Sequence, residues 1–225
     1  MGDEYDRMKH RAASWAVEQV DDGMVVGLGT GSTAGFAIAE LGRAVDAGLA
    51  VEGVATSFAA RSRALKAGIP LTTLDAVSSV DVAIDGADQV CDAVLLKGGG
   101  GAHTRERLVD ANAARFIVVV DERKVSNQLD GLVHLEVLPE AHRTVSDAVA
   151  SLGGEPTVRQ STTLDGPTFT ERGNLLVDVD FGVIDRPVEL AEALSQLSGV
   201  VDHGIFVEMA EVIAVGTADG VRLLE

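Results

Sequence analysis

Met24-Val25-Val26-Gly27-Leu28-Gly29-Thr30-Gly31-Ser32-Thr33-Ala34 is the stretch on which the reading of this chain turns. Its first five residues are apolar or small and do not alternate with polar ones, as in a strand buried on both faces. Two glycines in the next three positions allow a tight turn. Residues 34–41 then continue with helical spacing. The same grammar repeats downstream. A strand is predicted over 51–55 and a helix over 57–67, closed by Gly68-Ile69-Pro70. Strands follow over 80–84, ending at Asp85-Gly86-Ala87-Asp88, and over 93–96, ending at Lys97 and the run Gly98-Gly99-Gly100-Gly101. A helix from about 103 to 113 and a very apolar strand over 115–120 complete the series. Upstream, Met8, Ala12, Trp15, Ala16 and Val20 mark a helix over 6–20. Continuous apolar strands alternating with helices predict a parallel sheet covered on both faces. Past Gly131 the order becomes strand 132–137, helix 140–152, strands 157–160 and 175–181, helix 187–197. That predicts a small α+β unit of ferredoxin-like order. The apolar stretch 205–215 is expected to return to the first sheet.

Composition narrows the function. The 225 residues are 46% hydrophobic but only 4% aromatic, so Val, Ala, Leu and Ile must fill the core. Lys+Arg number 18 against 35 Asp+Glu, a net charge of −17. A nucleic-acid partner needs a basic face, and this balance argues against one. Only four of the basic residues are lysines (Lys9, Lys66, Lys97, Lys124), and excess carboxylate with little lysine suggests a surface suited to concentrated salt. The single cysteine, Cys91, rules out an internal disulfide framework and fits a reducing compartment. The five histidines show no H-x-x-x-H pair, so no zinc site is expected. No segment has the ~18 apolar residues of a membrane helix, and residues 1–11 lack the apolar stretch of a signal peptide. The expectation is a soluble cytoplasmic protein.

Three unusual segments fall at predicted strand ends, where open parallel sheets bind ligands. The first, Gly29-Thr30-Gly31-Ser32-Thr33, offers helix N-terminal amides and three hydroxyls to an anion. A small phosphate suits it. Gly29, Gly31 and Ala34 also satisfy the loose G-x-G-x-x-A dinucleotide pattern, although the second strand ends in Ala55-Thr56-Ser57 rather than an acid. A plain helix-capping turn is the third reading. In the second segment, Asp85 and Asp88 can bind sugar hydroxyls, relay protons or hold a divalent metal, or Asp88 can cap the next element. In the third, Lys97 can neutralise an oxyanion, the glycines admit a ligand close to the backbone, and Glu106 lies in the first turn of a helix. Together they suit proton abstraction beside a carbonyl through an enediolate.

These segments, together with Gly173-Asn174 and Gly199-Val200-Val201-Asp202-His203-Gly204-Ile205-Phe206, resemble in the same order the type A ribose-5-phosphate isomerases. The resemblance implies a Rossmann-like catalytic domain of residues 1–131 and 203–225 and an α+β lid domain of residues 132–202. It implies cofactor-independent interconversion of ribose 5-phosphate and ribulose 5-phosphate by a homodimer or homotetramer, and the missing histidine pairs lead to the expectation that no metal is needed. By position, Glu106 matches the base that moves a proton between C2 and C1, and Asp85 assists ring opening or shuttles the hydroxyl proton. Lys97 and the amides of Gly98, Gly99 and Gly100 would stabilise the enediolate. Asp88, with Gly86 and Ala87, would hold the sugar. Thr30, Gly31, Ser32 and Thr33 would hold the phosphate or adjacent oxygens, and Lys124 would line the site. The chain has Gln89 where the family often has Glu, and Glu171-Arg172 where Asp-Asn is usual. Lys9, His10 and Arg11 are alternative first-helix cations for the phosphate. Two other classes share parts of this pattern. One is a sugar-phosphate sensor, which would need a DNA-binding helix-turn-helix that is missing here; the other is a nucleotide-linked dehydrogenase.

Overall fold

The computed structural model describes residues 2–224. In chain order its elements are α1 (Gly2–Val17), β1 (Val25–Leu28), α2 (Ser32–Asp46), β2 (Glu52–Ala55), α3 (Phe58–Lys66), β3 (Leu71–Thr72) and β4 (Val80–Asp85). Next come β5 (Gln89–Cys91), β6 (Val94–Leu96), α4 (His103–Ala111), β7 (Ala113–Asp121), β8 (Val133–Val137), α5 (His142–Ser151) and β9 (Glu155–Val158). The chain closes with β10 (Leu175–Asp180), α6 (Pro187–Ser195), β11 (Val200–His203), β12 (Ile205–Val207), β13 (Val212–Gly216) and β14 (Val221–Leu224). They form two compact units. The first holds Met1–Ala87, Arg105–Val125 and Glu208–Glu225; the second holds Asp88–Thr104 and Ser126–Val207. Among the described residues no helix is long and apolar enough to cross a membrane.

The first unit is built on a seven-stranded sheet of order β14-β13-β7-β4-β1-β2-β3. All neighbours are parallel except β13 and β14. Val26, Leu28, Val82, Ile84, Ile117 and Val119 pack in one core with Ala12, Ala13 and Ala16 of α1 and Ala37, Ile38 and Leu41 of α2. Residues two apart share a face of a strand, so Gly27 and Ala83 belong to the other face. There a Cβ on Gly27 would lie 2.7 Å from Val109 Cγ1 of α4. With helices on both faces, each strand is apolar throughout, which is why the sequence shows runs and not alternation. Each buried Val, Leu or Ile contributes roughly 1.5–3 kcal/mol. The order reverses between β1 and β4, because β2 and β3 extend one way and β7 and β13 the other. Leu28 pairs with Ile84, so the two strands end level and bring Gly29 and Asp85 side by side at this switch point.

The second unit carries a four-stranded antiparallel sheet of order β11-β8-β10-β9. Its chain order β8-α5-β9-β10-α6-β11 is the expected ferredoxin-like one. Val133, Leu135, Val137, Val177 and Val179 pack with Val145 and Val149 of α5 and Leu194 of α6. A three-stranded sheet, β12-β6-β5, belongs to the same unit.

The division differs from the expected lid of 132–202. Residues 88–104 join the second unit because β6 pairs with β12 and the Lys97 N–H donates to the Gly204 carbonyl at 2.8 Å. Ser126 N–H likewise donates to Val90 O at 2.8 Å. The stretch 205–215 also divides. Only β13 returns to the large sheet, and Ile205–Val207 stays with the small one.

Candidate active site

In the first unit the site begins with a glycine. A Cβ on Gly29 would fall 2.5 Å from the Asp85 Cα, so only glycine lets β1 end against β4. That approach puts the Asp85 carboxylate within reach of the next amide. Asp85 Oδ1 accepts from Thr30 N–H at 2.9 Å and from Gly86 N–H at 2.7 Å. Asp85 is fully buried. The Thr30 hydroxyl donates to Ser57 Oγ at 2.7 Å and lies 2.8 Å from Thr56 Oγ1. Both donors of Thr30 are therefore committed within the protein, and its work is to tie the ends of β1, β2 and β4 together. Gly31, at φ 115°, is the N-cap of α2 and offers no side-chain cap. The first-turn N–H groups are thus left to a ligand or water. Ser32 is exposed there, while Thr33 is buried. Arg63 Nη1 donates to the Gly31 carbonyl at 2.7 Å and holds the loop from α3. Thr56, Ser57 and Arg63 carried no sequence signal as site residues.

Glu106 is only 4% exposed in the first turn of α4, with Asp110 equally buried one turn later. A charge placed only for the helix dipole has no need of such burial. At the end of β7, Asp121 is buried and its side chain caps the turn Glu122–Lys124, which leaves Lys124 half-buried. Burial pushes the Asp121 carboxyl up, but hydrogen bonds and charge from Arg123, with Lys9 adding to them, hold it below the usual carboxylate value. The Arg123 guanidinium also stacks on the Tyr5 ring at 3.5 Å. The three first-helix cations separate here. His10 pairs with Glu40, and Arg11 donates to the Thr217 and Ala218 carbonyls. Lys9 pairs with Asp6 at 3.6 Å, and its charge is the smallest of the influences that lower the Asp121 carboxyl.

In the second unit, Asp88 and the glycine run form one motif. Gly99 N–H donates to Asp88 Oδ2 at 2.7 Å. In this structure the Gly99 amide is thus directed at the Asp88 carboxylate. Gly101 N–H likewise closes on the Gly98 carbonyl at 2.9 Å. Gly98 has φ 103°, and a Cβ there would meet His103 Nδ1 at 2.7 Å and His134 Cβ at 3.0 Å. Lys97 is 2% exposed, with Nζ 5.4 Å from the centroid of the buried Phe206 ring. Gly204 has no side chain because a Cβ would fall on the Lys97 carbonyl. His203 Nδ1 accepts from Ile205 N–H at 3.2 Å, so Nε2 carries the proton toward Ser195 Oγ at 2.9 Å. The Asp202-His203-Gly204-Ile205-Phe206 motif is thus the bed of Lys97.

Two networks, one buried and one partly exposed, back this motif, and the sequence reading missed both as clusters. Glu136 accepts from Thr104, from Thr170 Oγ1 at 3.0 Å and from Asn174 Nδ2 at 2.6 Å. That gives Gly173-Asn174 its role. Asp178 receives Arg159 Nε at 2.9 Å and His134 Nδ1 at 2.7 Å. Burial pushes the Asp178 carboxyl up, but these two partners outweigh it and hold it far below the usual range. Gln89 also finds its reason. Its Oε1 accepts from Asp130 N–H and Gly131 N–H, while its Nε2 donates to Asp130 Oδ1 at 2.7 Å. A glutamate could not donate, and would set a second carboxylate against Asp130. Among the described residues no group of three or more His, Cys, Asp or Glu could hold a metal ion.

Residues 52–220 match the family model of ribose 5-phosphate isomerase A (phosphoriboisomerase A). The chain belongs to that family. It is 55% identical over 216 residues to the ribose-5-phosphate isomerase A of Natronomonas pharaonis, covering 96% of each chain. It is 56% identical over 218 residues to that of Haloarcula marismortui, covering 97% of this chain and 95% of the relative. The solved ribose 5-phosphate isomerase A of Methanocaldococcus jannaschii superposes with a TM-score of 0.93 at 44% identity, covering 97% of this chain and 98% of that one. A D-ribose-5-phosphate isomerase solved in complex with phospho-erythronic acid gives a TM-score of 0.94 at 38% identity, covering 97% of each. The α/β architecture with its central parallel sheet is therefore that of the ribose 5-phosphate isomerase A family.

Proposed function

We propose that this chain interconverts D-ribose 5-phosphate and D-ribulose 5-phosphate through an enediolate, with Glu106 as the base. The full-length match to relatives named ribose-5-phosphate isomerase A carries this reading. The burial of Glu106, Asp85 and Lys97 supports it, as does the relative that holds a phosphorylated sugar acid. In the open-chain aldose, Glu106 takes the proton from C2. The electron pair moves into a C1–C2 double bond, and the carbonyl oxygen becomes the enediolate oxygen. Return of the proton to C1 gives the ketose, so no oxidant, reductant or cofactor enters the balance. Lys97 supplies positive charge to the developing oxyanion, and burial beside Phe206 makes that charge more effective than it would be in water. Asp85, held on one oxygen by two N–H groups, shuttles the hydroxyl proton with its other oxygen and assists ring opening. Asp88, with Gly86 and Ala87, takes the sugar hydroxyls. The amides of Gly98 and Gly100 assist the enediolate. Ser32, the first-turn amides of α2, Gly31, Thr33 and Lys124 take the phosphate, with Thr30 fixing their loop and Lys9 as the first-helix cation. The same reading includes a homodimer or homotetramer, which light scattering tests.

The decisive measurement is ketose formation from ribose 5-phosphate by wild type and Glu106→Gln. A positioned base contributes about 10²–10⁴-fold. Glu106→Gln is expected to lose at least 100-fold in kcat while ribose 5-phosphate binding changes several-fold at most. Turnover within tenfold of wild type removes Glu106 as the base.

A further inference from the structure

Asp88 is 44% exposed at its side chain, and an exposed carboxylate on a turn keeps its rotamer only if something fixes it. Two groups do so. Gly99 N–H holds Oδ2 at 2.7 Å, and His134 Nε2 lies 3.9 Å from the same oxygen. Behind them stands one anchor. Arg159 Nη1 donates to the Gly99 carbonyl at 2.9 Å, so the residue whose N–H grips Asp88 is itself gripped through its C=O. Arg159 binds Asp178 through Nε at 2.9 Å and through Nη2 at 2.5 Å. His134 Nδ1 reaches Asp178 Oδ1 at 2.7 Å. The same Nδ1 lies 2.8 Å from Arg159 Nη2, and Nε2 is the ring atom turned to Asp88. The backbone needs this bracing. Gly98 is left-handed at φ 103°, and a run of glycines has little conformational preference of its own.

We propose that Arg159, acting through Gly99, and His134, beside the carboxylate, are positioning residues held by Asp178 that set Asp88 and so fix the enzyme's grip on the sugar hydroxyls. The inference rests on the isomerase reading and on Asp88 as the hydroxyl-binding residue. A planar guanidinium is needed, because one fork must serve a carboxylate and a carbonyl at once. Lysine can serve only one of them.

The test is a double-mutant cycle on ketose formation with Arg159→Ala, Asp88→Ala and both together. Arg159→Ala is expected to raise KM for ribose 5-phosphate at least tenfold and lower kcat less than threefold. On the Asp88→Ala background the same change is expected to move KM less than twofold, because the residue being positioned is gone. Added guanidinium ion should recover part of the KM loss in Arg159→Ala and none in the double variant. Arg159→Lys and His134→Gln, which keep the local volume, provide folded variants if alanine unfolds the protein; each is expected to raise KM severalfold. Additive KM effects, or a loss of melting temperature with KM unchanged, overturn the proposal. A wild-type protein that makes no ketose overturns the isomerase reading itself, and this inference with it. Normal wild-type turnover with an unmoved KM in Arg159→Ala overturns the inference alone.

Discussion

Two aspartates three residues apart are held in opposite ways. Asp85, in the first unit, is fully buried and its Oδ1 is fixed by two backbone N–H groups at the level ends of β1 and β4. Asp88, in the second, is half exposed, fixed by one amide, and braced by a chain of side-chain charges through Gly99, Arg159 and Asp178. The first arrangement follows from strand register and glycine alone and tolerates almost no change of shape. The second depends on charge and so on pH. Under the proposed roles, the rigid carboxylate handles protons and the braced one handles binding.

A matched pair of glycine substitutions tests this contrast most severely. At Gly29 a methyl meets the Asp85 Cα at 2.5 Å, so the backbone must move. At Gly99 it meets the Asp88 carboxylate at 2.9 Å, and a side-chain end can swing aside. Gly29→Ala is expected to lower kcat by 100-fold or more, since misplacement by about 1 Å costs that much, and to lower stability by about 1–3 kcal/mol. Gly99→Ala should cost less than tenfold in kcat, with the loss in KM. Equal losses in kcat would mean that both aspartates are held alike.

A smaller effect should separate the units by pH. The folded Asp178 carboxyl lies below its ordinary value, which is about 3.9. Its stabilisation is therefore complete above about pH 4 and is lost as pH falls through the lower folded value. Near neutrality, Asp178→Asn should lower stability by about 1 kcal/mol, in keeping with a pair that is partly exposed. The gap in melting temperature from wild type should narrow below about pH 4. A gap that stays constant down to acid pH would show that the Asp178 charge contributes nothing.

Per residue, the weakest effect is that of salt. With a net charge of −17, self-repulsion should fall as the Debye length shrinks from about 10 Å at 0.1 M to about 3 Å at 1 M. The melting temperature is expected to rise across that range. A flat or falling midpoint in potassium chloride would count against a surface adapted to salt.

Much of this protein is written locally in the chain. Apolar runs in 24–28, 80–84 and 115–120 announce strands covered on both faces, because periodicity reports burial without any knowledge of partners. The glycine turn after β1, the Asp85–Asp88 turn and the Lys97 run could be placed at strand ends from sequence alone. Tertiary structure decided the rest. The level ends of β1 and β4 come from a register between strands 56 residues apart in Val26↔Val82. Which amide is spent on Asp88, where His10 and Arg11 find their partners, and why position 89 is Gln all depend on such long-range pairing. His134 and Asp178 lie 44 residues apart; as a lone histidine and an acid on separate strands they give no periodic or motif signal. A side chain's hydrogen-bond partner is set by chain register and packing, and local sequence encodes burial far more directly than it encodes partnership.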